Sequence, residues 1–586
     1  MRPTYSLNIA LILLLGSPVI VQAALEADDE KANRIGSADT PPVLEEHENT
    51  NAPPKLGPRR TSLPTLPAFG GFLSVQVNVD EFGNNIIGDA ANEPSLAVDP
   101  TAPNRIVIGW RQFDTINNNF RQAGNAYSHD GGRNWNNNQV LQPGVFRSDP
   151  VLDFDNQGNF YYNSLRGDFS CWVFRSTDGG VNWSQPVSAF GGDKQWMAID
   201  RTGGIGNDNI YQAWSIAAGC CGLNLFNRST DSAASFEEPV PYPLPPLWGT
   251  LAIGLAGEVY VVGVQAMPFN VNNFLFVRSS NAQNAGQIPM FDMTTNVDMG
   301  GSINFQDAPN PAGLGGQVWV TVDTSDGPNR GNIYMLCSVD TAGPDPADVI
   351  FVKSTDGGTT WSAPVRVNDD ELFNNAYQWF GTMSIAPNGR LDVIWNDTRN
   401  SGQANLSQLY YSTSSDGGVN WSQNIPLSPE FDSWIGWPQQ NKIGDYYDMI
   451  SDDVGAHLAW AATFNGEQDV YYLRIGDYDC NANGVADTDD IFNGDSSDCN
   501  ENGIPDECEI AAGTLIDDNG NGIPDNCEVP GDLDGDGHVS TVDLLILLGS
   551  WGPCADCNVP GDCPADLNGD CTVDTVDLLL LFSNWG

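Results

Sequence analysis

Three stretches near the C-terminus, DCNANGVADTDD (479–490), DCNENGIPDECE (498–509) and DDNGNGIPDNCE (517–528), begin 19 residues apart. All follow D-x-N-x-N-G-x-x-D-x-x-[DE], with side-chain oxygens at positions 1, 3, 5, 9 and 12 and glycine at position 6. The donors are Asp479, Asn481, Asn483, Asp487 and Asp490; then Asp498, Asn500, Asn502, Asp506 and Glu509; then Asp517, Asn519, Asn521, Asp525 and Glu528. A hard cation takes oxygen ligands at this spacing, the position-7 carbonyl completing the shell while the glycine makes the bend. Two further loops, DLDGDGHVSTVD (532–543) and DLNGDCTVDTVD (566–577), repeat the pattern. They offer Asp532, Asp534, Asp536, His538, Ser540 and Asp543, and Asp566, Asn568, Asp570, Thr572, Asp574 and Asp577. The expectation is several structural Ca²⁺ sites in 479–577. The first three loops hold so few apolar residues that order there depends on the ion.

The charge distribution agrees. From Asp477 onward there are 25 Asp and Glu and no Lys or Arg, and their regular interleaving with Asn and Gly argues for ligands over a plain acidic tail. Over the whole chain, 75 Asp and Glu against 24 Lys and Arg give a net charge of −51, which disfavours nucleic acid as a partner. Eight of the 12 cysteines lie from Cys480 onward and read as disulfides of an exported chain. Export is indicated by Arg2, the apolar run from Leu7 to Val21 and the small residues Ala23 and Ala24, a signal peptide over 1–24. That run is too short, and broken by Ser17-Pro18, for a membrane anchor, and no later segment is long and apolar enough to span a bilayer. Residues 25–70 are Pro-rich and polar without apolar period, a flexible leader. A secreted or surface-held protein is expected.

On these motifs, 477–529 resembles thrombospondin type 3 repeats. The segment 530–586, in which each EF-hand-like loop enters a short apolar helix (LLILLGSWG, LLLLFSNWG), closely resembles a type I dockerin. The resemblance implies a cohesin-like scaffold or cell-surface partner. It also implies paired helices that bury Leu544, Leu545 and Leu548 against Leu578, Leu579 and Phe582. Two departures stand out. Position 6 of the last loop is Cys571, with Cys563 its candidate partner, and the helices lack the Lys and Arg usual on a dockerin recognition face.

The longest part of the chain, 71–476, is a repeat. Ser-x-Asp-Gly-Gly-x-x-Trp is spelled at Ser128, Ser176, Ser354 and Ser414, with degenerate copies at 226–236 and 276–286. Between the copies run short alternating strands and Gly/Asp turns, such as PSLAVDPTAPNRIVIGW (94–110) and GTMSIAPNGRLDVIWND (381–397), without a long helix. This is an all-β pattern of two hairpins per unit of about 60 residues, which suits four-stranded propeller blades. Seven units are favoured and six is the alternative, the unit at 315–324 being the least regular. The last unit lacks an outer strand, and FLSVQVNV (72–79) is available to supply it.

The repeated motif resembles the Asp-box, or BNR repeat, of sialidase-like β-propellers. Its Asp130, Asp178, Asp356 and Asp416 read as turn-formers at the blade rims, the glycines permitting positive φ and the Trp packing under the hairpin. Sialidases bind a substrate carboxylate with three arginines and use a Tyr–Glu pair and an Asp. Where the first arginine belongs, on ANEPSLAV, this chain has Asn92 or Glu93. Arg111, Arg399 and Arg474 are weak catalytic candidates, with Asp149 and Tyr447. Asp149, Asp193, Asp307 and Asp445 recur at strand starts, either as turn-formers or as acids gathered for chemistry on a sugar. The sequence therefore predicts a propeller that binds an extracellular glycan. A sialidase-type glycoside hydrolase or a polysaccharide lyase is the alternative.

Overall fold

The computed structural model describes residues 41–42, 59–341, 345–500, 502–517, 520, 522–534, 538–555 and 563–585. The signal segment and most of the leader lie outside the described residues.

Between 90 and 476 the strands form seven separate antiparallel sheets. The first is Ala90–Val98, Ile106–Phe113, Arg121–Ser128 and Asn136–Leu141, in spatial as in sequence order. The inner strands of the other six blades are Ser148–Phe154, Trp196–Ile199, Leu251–Ile253, Trp319–Val322, Gln378–Ile385 and Asp448–Ser451. Each contacts the inner strand of the next blade, and the seventh returns to the first, so the protein is a seven-bladed β-propeller. The seventh blade takes its outer strand from the N-terminus, Ser74, Val75 and Gln76 pairing with Leu473, Tyr472 and Tyr471. Blade 5 is irregular because a loop at 304–318 splits its inner edge, Gly301–Ile303 and Trp319–Val322 both pairing with Ile333–Thr341.

The Ser-x-Asp turns join the third and fourth strands. In blade 5, Ser354 Oγ donates to Asp356 Oδ1 at 2.9 Å and accepts from Gly358 N at 2.9 Å. Asp356 then accepts from Thr360 N at 2.8 Å and Thr360 Oγ1 at 2.7 Å. The same bonds recur around Asp130, Asp178 and Asp416. They also recur around Asp231, where Ser232 and Ala233 take φ of +56° and +64° without a glycine. Thr360's hydroxyl, then its N–H, hold the Asp356 carboxyl down at about 2, and the N–H of Asn420 does the same for Asp416. These are permanent acceptors, not acids. The aromatic residue of each turn reaches the preceding blade: Trp361 lies 5.3 Å from Phe276, Trp421 5.2 Å from Phe351 and Trp135 5.1 Å from Tyr472, between ring centroids. The second glycine makes that approach possible, since a Cβ on Gly358 would stand 2.1 Å from the Phe276 ring.

The acidic C-terminal segment carries all the helices among the described residues, Asp487–Asn493, Asp506–Ala512, Thr541–Gly549 and Thr575–Ser583. Cys480–Cys508, Cys499–Cys527 and Cys554–Cys563 are disulfides, and Cys571 is disulfide-bonded too. Cys563 therefore belongs to Cys554 and not to Cys571. The last two helices pack through Leu547 and Leu581, both fully buried, with Leu544 and Leu578 beside them. Leu545, Leu548, Leu579 and Phe582, expected inside, are exposed. The reason is the capping box. Asp543 at the third helical position turns inward to Ser540 N, and Leu547, four residues on, shares its face. Asp577 and Leu581 repeat this.

Candidate functional site

Each blade has a residue of positive φ within the first four residues of its inner strand or at most four before it: Glu93 (+49°), Asp149 (+47°), Lys194 (+53°), Trp248 (+61°), Gly316 (+147°), Phe380 (+59°) and Gly444 (+98°). These positions lie at the same end of the inner strands, and where the left-handed residue has a side chain it is aimed off the pleat. Charged groups gather there. Lys194 Nζ lies 2.6 Å from Asp445, 3.4 Å from Asp149 and 3.8 Å from Asp193. Lys442 Nζ lies 2.6 Å from Asp445 and 3.7 Å from Glu93. Arg111 Nε lies 3.2 Å from Glu93 and donates to Asn92 Oδ1 at 2.8 Å. No side chain of this layer is more than 2% exposed.

Four carboxylates thus face three cations in a dry layer, Glu93, Asp149, Asp193 and Asp445 against Arg111, Lys194 and Lys442. Charges removed from water are tolerated when paired. Burial pushes the Glu93 carboxyl well above the ordinary range, against the pull of Arg111 and Lys194. The axis is also filled by aromatic rings: Trp196 lies 5.2 Å from Trp319 and 5.3 Å from Tyr446, from blades 3, 5 and 7. Two long loops interlock at this end, 304–316 and 433–445. Asn310 accepts from Ile443 N and donates to Gly444 O, Asp445 accepts from Leu314 N, and Ser433 and Trp434 bond the carbonyls of Pro309 and Ala308. The second loop carries Lys442 and Asp445 into the layer.

The weak catalytic candidates divide. Arg111 and Asp149 meet in the axial layer. Arg399 stands outside it, tied to Asp369 at 2.6 Å and Asp397 at 2.9 Å and lying 4.5 Å over Tyr410. Tyr447 is core, its hydroxyl donating to Ala461 O at 2.6 Å and accepting from Asn396. Arg474 is at the opposite end of the ring. It lies near the end of the third strand of blade 7, Asp469–Gly476, and pairs with Asp452. Of the four strand-start aspartates, Asp149, Asp193 and Asp445 converge on Lys194 and are not simple turn-formers. Asp307 belongs to the 304–316 loop and accepts from Asn304 at 3.1 Å. Glu93, Lys194 and Lys442 escaped the sequence reading as site residues, although Glu93-Pro94 and Asp149-Pro150 share a register that pairs them.

In the C-terminal segment the candidate donors curl around one another. In the first loop Asp479 accepts from Asn483 N and Gly484 N, while Asn481 and Asn483 amides both donate to Asp490 Oδ2, at 3.2 and 2.8 Å. The second loop repeats this: Asn500 and Asn502 donate to Glu509 at 2.9 and 3.0 Å, and Asp498 holds Asn502 N and Gly503 N. Positions 1, 3, 5 and 12 therefore share one space. Turning the two asparagine amides over would line it with oxygen. Position 9 braces the backbone, Asp487 and Asp506 accepting from Cys480 N and Cys499 N. Asp487 also pairs with Arg133, in the turn of blade 1, at 3.1 Å. In the third loop Asp517 holds Gly520 N and Gly522 N, with Asp525 exposed and Glu528 half-buried. Asn519, Asn521 and Asp536 lie outside the described residues.

In the fourth loop carboxylate oxygens of Asp532, Asp534 and Asp543 lie within 4.8 Å of one another, an arrangement that can hold a metal ion. His538 is exposed and Ser540 caps the helix. In the fifth, Asp566 takes the N–H groups of Gly569, Asp570 and Cys571, and Asn568 donates to Asp570. There Asp570 accepts from Thr572 N, and Asp574 caps its helix. Cys499, Asp506 and Cys527 also cluster, but those two sulfurs are joined in a disulfide and are not thiolate ligands.

No family model matches the chain, and no curated protein matches it in sequence. Solved structures similar to it include a protein of unknown function from Dyadobacter fermentans, 15% identical with a TM-score of 0.38, covering 69% of this chain and 97% of that one. The phage phi92 endosialidase is 8% identical with a TM-score of 0.41, covering 70% of this chain and 69% of its own. A xyloglucanase from Xanthomonas campestris is 15% identical with a TM-score of 0.39, covering 69% and 59%. No residue role in this chain follows from these likenesses.

Proposed function

We propose that this protein is exported or surface-held and that its propeller binds an extracellular glycan without turning it over. Its acidic tail binds Ca²⁺ and attaches it to a scaffold or surface. The observation that carries the non-catalytic reading is Arg111: it is fully buried and neutralised by Glu93, while Arg399 and Arg474 lie away from it and are held by aspartates. A sialidase-type clamp needs unspent guanidinium groups facing one cavity. Glycan as the ligand class rests on the Asp-box resemblance. Calcium rests on the converging oxygen donors of the tail, which fit a hard cation, and attachment rests on the dockerin-like helix pair. Extracellular residence is supported by the disulfides and by the signal-like N-terminus, and no helix among the described residues is long and apolar enough to cross a membrane.

The test is a glycan array run beside turnover assays on sialosides and on polysaccharides. Binding without product release is expected. Release of aglycone from a sialoside, lost in Arg111→Ala, would replace this reading with the hydrolase. Eliminative cleavage to unsaturated products would replace it with the lyase.

A further inference from the structure

The internal repeat exposes a slot that the chain itself leaves empty. In blades 2 to 6, the third-strand residue three before the turn's Ser position pairs with a fourth-strand partner. These pairs are Val173 with Val187, Phe226 with Val240, Phe276 with Thr295, Phe351 with Val365 and Tyr411 with Ile425. Four residues before each partner stands an aromatic residue: Trp183, Phe236, Phe291, Trp361 and Trp421. Four of these touch the matching third-strand residue of the preceding blade, Trp183 on Asn125, Phe291 on Phe226, Trp361 on Phe276 and Trp421 on Phe351. Trp135 does the same on Tyr472 where blade 1 meets blade 7.

Blade 7 breaks the series. Its fourth strand comes from the N-terminus, Tyr472 pairs with Val75, and the residue four before Val75 is Gly71. The ring that should press on Tyr411 of blade 6 is absent, and a Cβ built on Gly71 meets nothing within 4 Å. A cavity of about 530 Å³ lies there, lined by Gly71, Phe72, Leu73, Tyr411, Ile425 and Tyr478 among others. Its two arginines are already engaged, Arg390 by Asp392 and Arg474 by Asp452, so neither a free anion nor a sugar rich in hydroxyls finds unspent donors on them. Tyr478 at its wall is also the ring over which Arg133 lies, at 3.8 Å.

We infer that this slot at the ring-closing seam is a binding site for an aromatic side chain, tryptophan or phenylalanine, presented by a partner polypeptide. The chemistry is the one the other blades use on themselves: a flat ring wedged against the third strand of the neighbouring blade, with its backbone at the rim.

The experiment titrates the full-length protein with N-acetyl-L-tryptophanamide, following saturation-transfer NMR and the thermal transition. Wild type is compared with Leu73→Trp and Ile425→Trp, two half-exposed wall positions from which an indole fills the slot. Methyl β-glucoside is the parallel probe, and a sedimentation series of the protein alone checks self-association. The expected result is saturable binding of the tryptophan derivative, weakened about tenfold or more in either variant, with no effect of the glucoside. Absent saturation, or equal binding in wild type and variants, overturns the proposal. Binding of the glucoside instead would make the slot a sugar site. Self-association abolished by the filling variants would assign the occupant to a second copy. Either result refutes the partner.

Discussion

Adjacent glycines in one turn offer a sharp test of what the repeated motif does. Gly357 and Gly358 have nearly equal φ, +72° and +88°, so an alanine at either suffers the same left-handed penalty, about 1–2 kcal/mol. Their surroundings differ. A Cβ on Gly357 has its nearest neighbour 3.8 Å away, the mobile end of Arg278, whereas on Gly358 it would meet three carbons of the Phe276 ring at 2.1 to 2.7 Å. Phe276 is buried and packed edge-to-face with Trp361, so it has nowhere to go. Overpacking of this kind adds about 1–3 kcal/mol. Gly357→Ala should therefore cost about 1–2 kcal/mol and Gly358→Ala about 2–5. In thermal unfolding followed by near-ultraviolet circular dichroism, the second variant should melt several degrees below the first. Equal melting temperatures, or a greater loss at Gly357, would refute the view that the turn serves as a wedge between blades.

Other outcomes follow from the same geometry. Burial pushes the Asp448 carboxyl up to about 7, against the bonds from Ser95 and Leu96, and Asp469 also to about 7. Below the ordinary value of 3.8 both folded and unfolded states are protonated. Between there and 7 only the unfolded state releases its proton, so stability falls as pH rises, by at most ~4 kcal/mol from Asp448. Asp448→Asn should flatten the decline in melting temperature between acid and neutral pH, and an unchanged slope would count against that burial. Chelation with EDTA should speed amide exchange across 479–577 while leaving the propeller's exchange unaltered, since no candidate calcium donor lies in the ring. An identical melt and exchange pattern with and without EDTA would remove calcium from the account.

The ring was legible because its signals are local and repeated. Ser-x-Asp-Gly-Gly-x-x-Trp marks four third-to-fourth-strand turns outright and two more in degenerate form, and the missing outer strand of the last unit pointed back to FLSVQVNV. The axial layer was not legible in the same way. Glu93 meets Arg111 within one blade, but its other partner, Lys442, arrives on a loop that only ring closure brings near. Asp149 and Asp445 come together through Lys194, a residue whose type alone suggests a surface position. The misassigned helix face has a nearer cause. Apolar residues occupy every position of Leu544–Leu548, so periodicity could not choose a side, and the inward turn of Asp543 did.

The outer strand of blade 7 has a consequence for how the molecule is made. Ser74 and Leu473 are neighbours in space but stand some four hundred residues apart along the chain. During synthesis, Phe72–Gln76 emerges long before its partner strand exists, and it stays without that partner until Asp469–Gly476 has been made. The entropy of closing so long a loop grows only logarithmically, so the finished clasp is not weak for that reason. Its lateness is kinetic: contacts of such separation form last and leave an apolar strand and an open sheet edge exposed meanwhile. Assembly of this ring therefore ends at a single joint, made by the first strand to appear and the last.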